Sequence, residues 1–391
     1  MHDVAIVGGG PGGLHLAHLL ATAGLDVVLF EEHPASGDPV HCTGVLAVET
    51  FDEFRIPGTA VLNDLETVQF FGPSGATIEY STPRTEAVVI DRLRFDQQLY
   101  ERAATAGATM HLQTRVTDVQ VHADHVTISC ADCDVTARAG VLACGANYTL
   151  QRRLGLGMPA LYLQSAQLEV AAARPGDVEV HFGSDVAPKG FAWMVPVIRS
   201  HGTFARIGLM CDGNARLHFD RFLSQAAPRW GIEGDETTLT PRTKMLPLGT
   251  IDRSYGRRLL AIGDAAGIVK ATTGGGIYYS LLTATLASHV LVDALQQDDL
   301  ELASLERYET AWREALGDEL DAQTSLRTIA NTLSDAEIDS LFELAQTDGI
   351  MPIVRRTAAF NRHRHLILSL LSHPPARRIL MRRVLGWGRT A

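Results

Sequence analysis

The sequence predicts an α/β fold (α+β overall) that combines a parallel sheet and a β-meander with an inserted β-rich module and a helical C-terminal region. Three observations predict it. The chain opens with an apolar strand, a glycine turn, a helix and a second strand in close succession. Apolar and polar residues alternate from about 109 to 143 and again through much of 155–250. A short apolar strand, Gly-Asp and a helix start follow at 258–275, which returns the chain to the first sheet.

The first unit has the order of a nucleotide-binding βαβ motif. A strand at 2–7 leads into a turn of G-x-G-x-x-G spacing, a helix to about Ala23 and a strand that ends before Glu31. Such glycines permit a tight turn and close backbone approach to a pyrophosphate, which meets the positive end of the helix. A carboxylate at Glu31 can accept hydrogen bonds from a ribose, whereas Glu32 points to the other face and is the second choice. The expected cofactor-binding residues of this Rossmann-like unit are Gly8, Gly10, Pro11, Gly12, Gly13, Glu31 and Glu32. A glycine turn in an unrelated α/β protein is the alternative.

A second motif decides which dinucleotide is bound. Residues 258–262 form a short apolar strand that delivers Gly263-Asp264 to a helix start. This pattern resembles the second FAD motif of the glutathione-reductase-like flavoproteins, whose aspartate bonds the ribityl chain. The resemblance implies FAD, with Gly263 and Asp264 as contacts. Arg92 matches the arginine near the cofactor in the aromatic-hydroxylase branch, with a surface arginine at a helix start as the alternative. Backbone at Val116 is expected to meet the adenine.

The length of 391 residues suits more than one domain, and a composition of 46% hydrophobic and 20% charged residues is that of a globular protein. Because the late Gly-Asp strand returns to the first sheet, the FAD-binding domain is expected to be discontinuous. We expect an FAD-binding domain at 1–75, 90–153 and 251–300, a β-rich substrate-binding domain at 76–89 and 154–250, and a C-terminal helical region with a basic tail at 301–391.

Three further stretches resemble the geranylgeranyl reductase family, a likeness that covers roughly residues 1–290. They are Pro-Val-His-Cys-Thr-Gly at 39–44, the Phe-Ala-Trp-Met-Val-Pro segment within 187–196, and Lys-Ala-Thr-Thr-Gly-Gly-Gly-Ile within 267–279. Two positions depart from the family pattern, since Val195 replaces a phenylalanine and Ala271 replaces a proline. Both changes bear on the shape of the substrate pocket.

The resemblance implies reduction of isolated C=C bonds in a long isoprenoid chain, such as a geranylgeranyl lipid, a diphosphate or a prenylated quinone. Reduced flavin supplies the hydride from N5, and an apolar slot must hold an alkene that has no carbonyl to polarise it. Cys42 is expected to position or protonate the substrate, and His41 to tune the thiol, with a structural cysteine and a solvated histidine as the alternatives. The implied cofactor contacts continue at Gly274, Gly275, Gly276 and Ile277, and the implied substrate contacts are Phe191, Trp193, Val195 and Tyr278. Strand core is the alternative for the residues of 191–195. NADPH and ferredoxin both stay open as the reductant.

Two other functions remain open. One is an FAD-dependent monooxygenase or halogenase of the same superfamily. Cys144 argues against it because it stands where such enzymes carry an aspartate, and Trp193 lacks the second tryptophan of the halogenase motif. The other is a redox-neutral, flavin-dependent cyclase-like protein.

Five cysteines in an expected cytoplasmic protein indicate thiols rather than a disulfide framework. The Cys130-x-x-Cys133 pair falls at a predicted hairpin turn without a second pair, so it is interpreted as structural. No H-E-x-x-H motif is present, and we expect no metal and no nucleic-acid partner.

The C-terminal tail separates charge from the rest of the chain. The net charge is −11, yet no Asp or Glu follows Asp348, and the tail carries nine arginines. They are Arg355, Arg356, Arg362, Arg364, Arg377, Arg378, Arg382, Arg383 and Arg389. Near the end, Ile379, Leu380, Val384 and Leu385 mark an apolar side before Trp387, a pattern typical of a helix lying on an anionic membrane. Packing on the chain's own acidic body is the alternative. No apolar run is long enough to span a bilayer and no signal peptide is recognised, so we expect a cytoplasmic protein with peripheral contact at the inner membrane face.

Overall fold

The computed structural model describes residues 1–131, 134–232, 240–347 and 349–386, with side chains as far as residue 382. Cys133 therefore lies outside the described residues, while Cys130 ends a strand. The strands are β1 (His2–Val7), β2 (Val27–Phe30), β3 (Val45–Ala47), β4 (Val61–Leu65), β5 (Thr67–Phe71), β6 (Thr77–Ser81), β7 (Ala87–Ile90), β8 (Thr109–His111), β9 (Val116–Val121), β10 (Val126–Cys130), β11 (Asp134–Leu142), β12 (Tyr162–Ala171), β13 (Val178–His181), β14 (Phe191–Arg199), β15 (Gly202–Cys211), β16 (Arg242–Pro247), β17 (Tyr255–Gly256) and β18 (Leu259–Ala261). The helices are α1 (Pro11–Thr22), α2 (Glu49–Glu53), α3 (Arg92–Thr105), α4 (Thr149–Arg153), α5 (Ala215–Trp230), α6 (Ile277–Gln296), α7 (Leu302–Ala330), α8 (Asp335–Thr347), α9 (Ile350–Thr357), α10 (Arg364–Ser372) and α11 (Pro374–Gly386).

The first sheet has the order β17-β18-β11-β1-β2-β8, with β9 and β10 continuing from β11 as an antiparallel meander. Strands β1, β2, β8, β11 and β18 run parallel. All four residues of β2 are buried, as expected of a strand covered by helices on both faces. The late strand β18 pairs with β11, so the predicted return of the chain to its first sheet is confirmed.

The second sheet has the order β16-β12-β15-β14-β13-β5-β6. Helix α5 packs on one face and buries Phe219, Phe222 and Trp230. The strands of this module were predicted from the sequence, whereas α5 was not. The helix nevertheless has a common start signal, because Asn214 Oδ1 accepts the Leu217 N–H and so caps its N-terminus.

Strand pairing shifts one expected boundary. Strand β5 pairs in parallel with β13, so the second sheet begins at Thr67 rather than after residue 75. Strand β7 pairs instead with β3 and β4 in a separate three-stranded sheet. This small sheet lies between the two larger units, since Val89 on β7 shares an apolar cluster with Val195 and Val197 on β14.

The C-terminal region is helical, as predicted. Helices α8 to α11 share a small apolar cluster built on Ala345, Ile350 and Ala376, which Ile78 of β6 also contacts. Among the described helices, none combines the length and apolarity needed to cross a membrane.

A buried histidine joins α1 to α6 and should make the protein sensitive to acid. His15 is 3% exposed, and its Nε2 lies 3.1 Å from Oγ1 of Thr285. Burial, helped by Arg102 and His18, lowers the pKa of His15 to about 3. The unfolded chain takes up this proton near pH 6.5, whereas the folded chain does not until about pH 3. The free energy of unfolding should therefore fall by about 1.4 kcal/mol for each pH unit below 6.5.

Urea unfolding of the wild type and His15→Gln at pH 7 and pH 5 tests this expectation. The wild type should lose about 2 kcal/mol more than the variant on acidification. The variant His289→Gln, at an exposed position on α6, should behave like the wild type. Equal losses in the wild type and His15→Gln would remove His15 as the cause.

Candidate functional site

A cavity of about 630 Å³ opens at the carboxyl ends of β1, β2 and β11. Strand β1 is flanked by β2 on one side and β11 on the other, so the chain changes direction across the sheet at this point. Such a switch point is where open α/β sheets bind nucleotides. Gly8, Glu31 and Cys144, each just beyond the end of one of these strands, line the cavity.

The glycine turn is shaped by two close backbone approaches. A Cβ on Gly8, whose φ is 114°, would collide with the Ala143 carbonyl. A Cβ on Gly13 would collide with the Gly8 carbonyl, so Gly13 supports the turn from behind rather than lining the cavity. Gly10 differs, because a Cβ there would meet no atom within 4 Å and would project into open space. Gly10 also caps α1, so this open space lies at the helix N-terminus, where a pyrophosphate binds.

Glu31 is held at the cavity wall by local hydrogen bonds. Its Oε2 accepts the Gly9 N–H at 2.7 Å, and its Oε1 accepts the His33 N–H at 3.0 Å. These bonds fix the carboxylate while leaving acceptor capacity for a ribose hydroxyl. Glu32 also lines the cavity and forms a 3.5 Å ion pair with Arg115, next to Val116.

A second helix N-terminus faces the same cavity. Asp264 lies on a 3-10 turn after β18, and Gly276 caps α6; both line the cavity. A Cβ on Gly276 would collide with the Asp264 carboxylate, so the glycine makes room for the acid. Gly263 lies beneath them, where a Cβ would collide with the Ser280 hydroxyl. Two helix N-termini, an acid at each end and an open glycine cradle fit an extended dinucleotide such as FAD.

Cys42, Arg92 and Asp96 form a connected cluster on the cavity wall. The Cys42 Sγ accepts the Gly44 N–H at 3.3 Å, and Cys42 lines the cavity together with Arg92. Arg92 Nη2 binds both carboxylate oxygens of Asp96, at 2.8 and 3.1 Å. Burial works against the charged guanidinium, yet Asp96 holds the pKa of Arg92 above its ordinary value. Cys42 therefore faces a permanently cationic neighbour.

His41 lines the cavity beside Cys42 and has an exposed side chain. Partial burial, followed by repulsion from Lys244, Arg242 and His33, lowers the pKa of His41. The imidazole is therefore neutral near neutral pH. A neutral ring can accept or relay a proton but adds no charge to the thiol.

Cys144 lines the cavity and stands where FAD-dependent monooxygenases and halogenases are expected to carry an aspartate. Burial raises the pKa of Cys144 to about 11, and Gln151 donates a hydrogen bond to its sulfur. The thiol is thus neutral and adds no negative charge near the glycine cradle.

The expected substrate residues are not brought to the cavity wall. Phe191 and Trp193 pack in an apolar cluster with Met210 and Leu246, and Val195 is buried with Val89 and Val197. Tyr278 is 5% exposed and donates its hydroxyl to Glu53 at 2.9 Å, which turns it away from the cavity. Its assignment as a substrate contact is therefore not supported by the geometry. Gly275 likewise does not line the cavity, unlike Gly274, Gly276 and Ile277.

The Trp193 cluster nevertheless lies against the turn at Gly274. A Cβ on Gly274 would first meet Leu246 Cδ1 at 3.1 Å and Met210 Sδ at 3.6 Å. The buried Nε1 of Trp193 has no hydrogen-bond partner within the described part of the chain. Phe191 and Trp193 thus form an apolar layer one residue behind the cavity wall.

The residues that fix the turn at 270–274 were not predicted from the sequence. Lys270 donates to the Phe360 carbonyl and to Asn361 Oδ1, both at 2.8 Å. Burial lowers the pKa of Lys270 to about 7. Arg327 on α7 donates to the carbonyls of Ala271 and Thr272. The C-terminal helices therefore hold the turn that leads into α6. No group of three His, Cys, Asp or Glu side chains that could hold a metal ion occurs among the described residues.

Comparison with known proteins supports the cofactor. Residues 1–143 match the family described as an FAD binding domain. The chain is 27% identical to the digeranylgeranylglycerophospholipid reductase of Methanocaldococcus jannaschii, over 88% of this chain and 90% of that protein. It is 29% identical to digeranylgeranylglycerophospholipid reductase 2 of Methanothermobacter thermautotrophicus, over 87% and 90%.

Solved structures show the same fold. A geranylgeranyl bacteriochlorophyll reductase-like protein from Thermoplasma acidophilum superposes with a TM-score of 0.82 at 21% identity, covering 98% of both chains. The halogenase PltM, in complex with phloroglucinol and FAD, gives 0.68 at 15% identity, covering 97% of this chain and 85% of its own. The predicted FAD cofactor and the resemblance noted from the sequence are thereby confirmed.

Proposed function

We propose that this FAD-dependent oxidoreductase, which has the geranylgeranyl reductase-like fold, reduces isolated C=C bonds in a long isoprenoid chain. The chain could carry a glycerophospholipid or diphosphate headgroup or end in a quinone. One observation carries the proposal: Cys42 and Arg92 lie on the wall of the cavity onto which both helix N-termini open. Bound FAD supplies a hydride when it is reduced. The protein must then hold the alkene, exclude water and deliver one proton.

The neighbours of Cys42 suit that last task. An alkene gains no polarity from a carbonyl, so the proton has to be presented at a fixed place relative to the second carbon. The Gly44 N–H holds the Cys42 sulfur, and Arg92 lies on the same cavity wall. The apolar layer of Phe191 and Trp193 supports the cavity wall from behind, and Leu246 of the same cluster lines the cavity, where it offers an isoprenoid chain an apolar contact.

Anaerobic incubation with chemically reduced FAD and a geranylgeranyl lipid tests the proposal. Mass spectrometry should find a product that has gained two hydrogen atoms for each bond reduced. Added oxygen or halogen, after admission of air and halide, would instead favour a monooxygenase or halogenase. A product of unchanged mass and altered retention would favour a cyclase-like reaction.

We also propose that the basic tail brings the enzyme to an anionic membrane, where such a substrate resides. Among the described arginines beyond residue 349, Arg364 pairs with a described carboxylate, Asp318, at 3.1 Å, whereas Arg377 and Arg378 are exposed. The apolar side of the tail packs on the body, since Ala376 is 1% and Leu380 6% exposed, so the membrane proposal rests on the exposed arginines. Leu368 is 44% exposed and borders a groove beside α11. Arg383, Val384, Leu385, Trp387 and Arg389 lie outside the described side chains.

The double variant Arg377→Glu/Arg378→Glu should weaken binding to phosphatidylglycerol vesicles by at least about tenfold at low salt. Each arginine near an anionic surface contributes about 1 kcal/mol, and the reversed charges are repelled. Cosedimentation measures the effect. The matched double variant Arg216→Glu/Arg221→Glu on α5 should bind like the wild type. If the wild type ignores these vesicles at low salt, the membrane proposal is wrong.

A further inference from the structure

We infer that a charged network on the second sheet, formed by Asp91, Glu169, Arg199 and Arg206, positions the Cys42–Arg92 pair at the flavin cavity. The inference rests on the proposed function for its catalytic consequence. Its structural part concerns this chain's own residues and can be tested on Cys42 directly. We call these four residues the bridging network.

Arg206 is the centre of the bridging network. It lies on β15, is 3% exposed, and faces Glu169 on the paired strand β12. Its Nε donates to Glu169 Oε2 at 2.7 Å. Its Nη1 donates to two backbone carbonyls from outside the second sheet, Thr43 at 2.6 Å and Ile90 at 2.9 Å.

Those two carbonyls belong to the segments that carry the reactive pair. Thr43 follows Cys42, and Ile90 ends β7 two residues before Arg92. One buried guanidinium therefore holds the backbone one residue after Cys42 and two residues before Arg92. Gly44 allows the approach, because a Cβ there would lie 2.6 Å from Arg206 Nη1.

The remaining members fix the start of α3. Arg199 on β14 donates to Glu169 Oε1 at 2.8 Å and to Asp91 Oδ2 at 2.6 Å. Asp91 caps α3 by accepting the Arg94 N–H, and Arg92 is the first residue of that helix. Burial alone would raise the pKa of Glu169, but Arg199 and Arg206 hold it below its usual range. All four groups are therefore charged, two of each sign.

A second contact from β12 reaches the same loop. Thr43 Oγ1 donates to Gln167 Oε1 at 2.6 Å. Gln167 and Glu169 are two residues apart on β12, so they lie on one face of the sheet. The strand that holds Arg206 in place thus also holds the residue after Cys42. This arrangement links the substrate-side sheet to the cavity wall of the FAD domain.

Arg206→Lys is the central test, because lysine keeps the charge but cannot make three separate bonds in the guanidinium geometry. We expect FAD to stay bound, as judged by its visible absorbance. The rate of Cys42 alkylation by iodoacetamide in the holoenzyme, resolved by peptide mass spectrometry, should change by about fivefold or more. For isoprenoid reduction, kcat should fall by about tenfold or more with KM within about twofold, since small misplacements reduce rate rather than binding.

Thr43→Val and Glu169→Gln keep the test decisive if Arg206→Lys does not fold. Thr43→Val removes the hydrogen bond from Thr43 Oγ1 to Gln167 and leaves all four charges of the bridging network. The rate of Cys42 alkylation should then change in the same direction as in Arg206→Lys, but by less. Arg216→Lys on the exposed face of α5 should match the wild type in every measurement. Folded holoenzyme variants whose Cys42 alkylation and kcat both equal the wild type would overturn the inference. If the wild type reduces no isoprenoid, the proposed function fails, whereas the alkylation rates still decide the positioning role.

Discussion

Cys42→Ala is expected to lower kcat by about 10²-fold or more while the protein stays yellow with bound FAD. A positioned acid contributes about 10² to 10⁴ in rate, and the alkene has no other means of activation. The Cys42 sulfur lies on the cavity wall beside Arg92, whose charge is secured by Asp96. Alanine removes the proton donor without disturbing the Arg92–Asp96 pair.

Anaerobic single-turnover mixing with the isoprenoid, followed at 450 nm, measures this effect on flavin reoxidation. Cys42→Ser should be intermediate because a hydroxyl can still hold the substrate-side proton. Cys130→Ala, at the end of β10 and away from the cavity, is the matched control. Unchanged turnover in Cys42→Ala would exclude this thiol from the reaction.

Gly10→Val should weaken FAD binding by about 10²-fold while leaving the apo protein as stable as the wild type. The backbone of Gly10 has φ −83° and ψ 179°, which any residue adopts, and its Cβ would meet no atom within 4 Å. The added side chain therefore fills only the space at the α1 N-terminus. That space is where we expect the pyrophosphate, so the cost falls on the cofactor alone.

Gly13→Ala gives the opposite pattern and sharpens the test. Its Cβ would collide with the Gly8 carbonyl, so the apo protein itself should be destabilised. Gly58→Ala, outside the cavity and with its nearest neighbour at 4.0 Å, is the control for both. Titration with FAD gives Kd, and thermal unfolding of the apo forms gives stability. Wild-type affinity in Gly10→Val would place the cofactor elsewhere.

The sequence predicted the cofactor half of the site because its signals are local. Gly8 and Gly13 lie within a turn of six residues, Gly13 packs against the Gly8 carbonyl, and Glu31 follows the next strand. Asp264 was found at a distance because a strand, Gly-Asp and a helix start form a compact pattern of their own. Gly8, Glu31 and Asp264 line the cavity, and Gly13 supports the turn from behind.

Residues that depend on packing between units were not predictable in the same way. Arg206 bonds to Thr43 and Ile90, which are 163 and 116 residues away in the chain. Nothing in the sequence near Arg206 marks such partners. Tyr278 was assigned from its place beside the Gly274–Gly276 turn, but the rotation of α6 directs its hydroxyl to Glu53. A motif fixes which residues are near a turn, not which way a helix presents them.

The order of strands in the first sheet constrains when the cofactor can be loaded during synthesis. We expect the adenine and pyrophosphate to meet residues within 1–143, whereas Asp264 and Gly276 are made much later. On that expectation, a nascent chain on the ribosome assembles the nucleotide half of the pocket early. The second helix N-terminus is added only after more than two-thirds of the chain has been translated. Until then residues 140–142 of β11 lack their partner strand β18, which leaves an open edge that can pair with another chain.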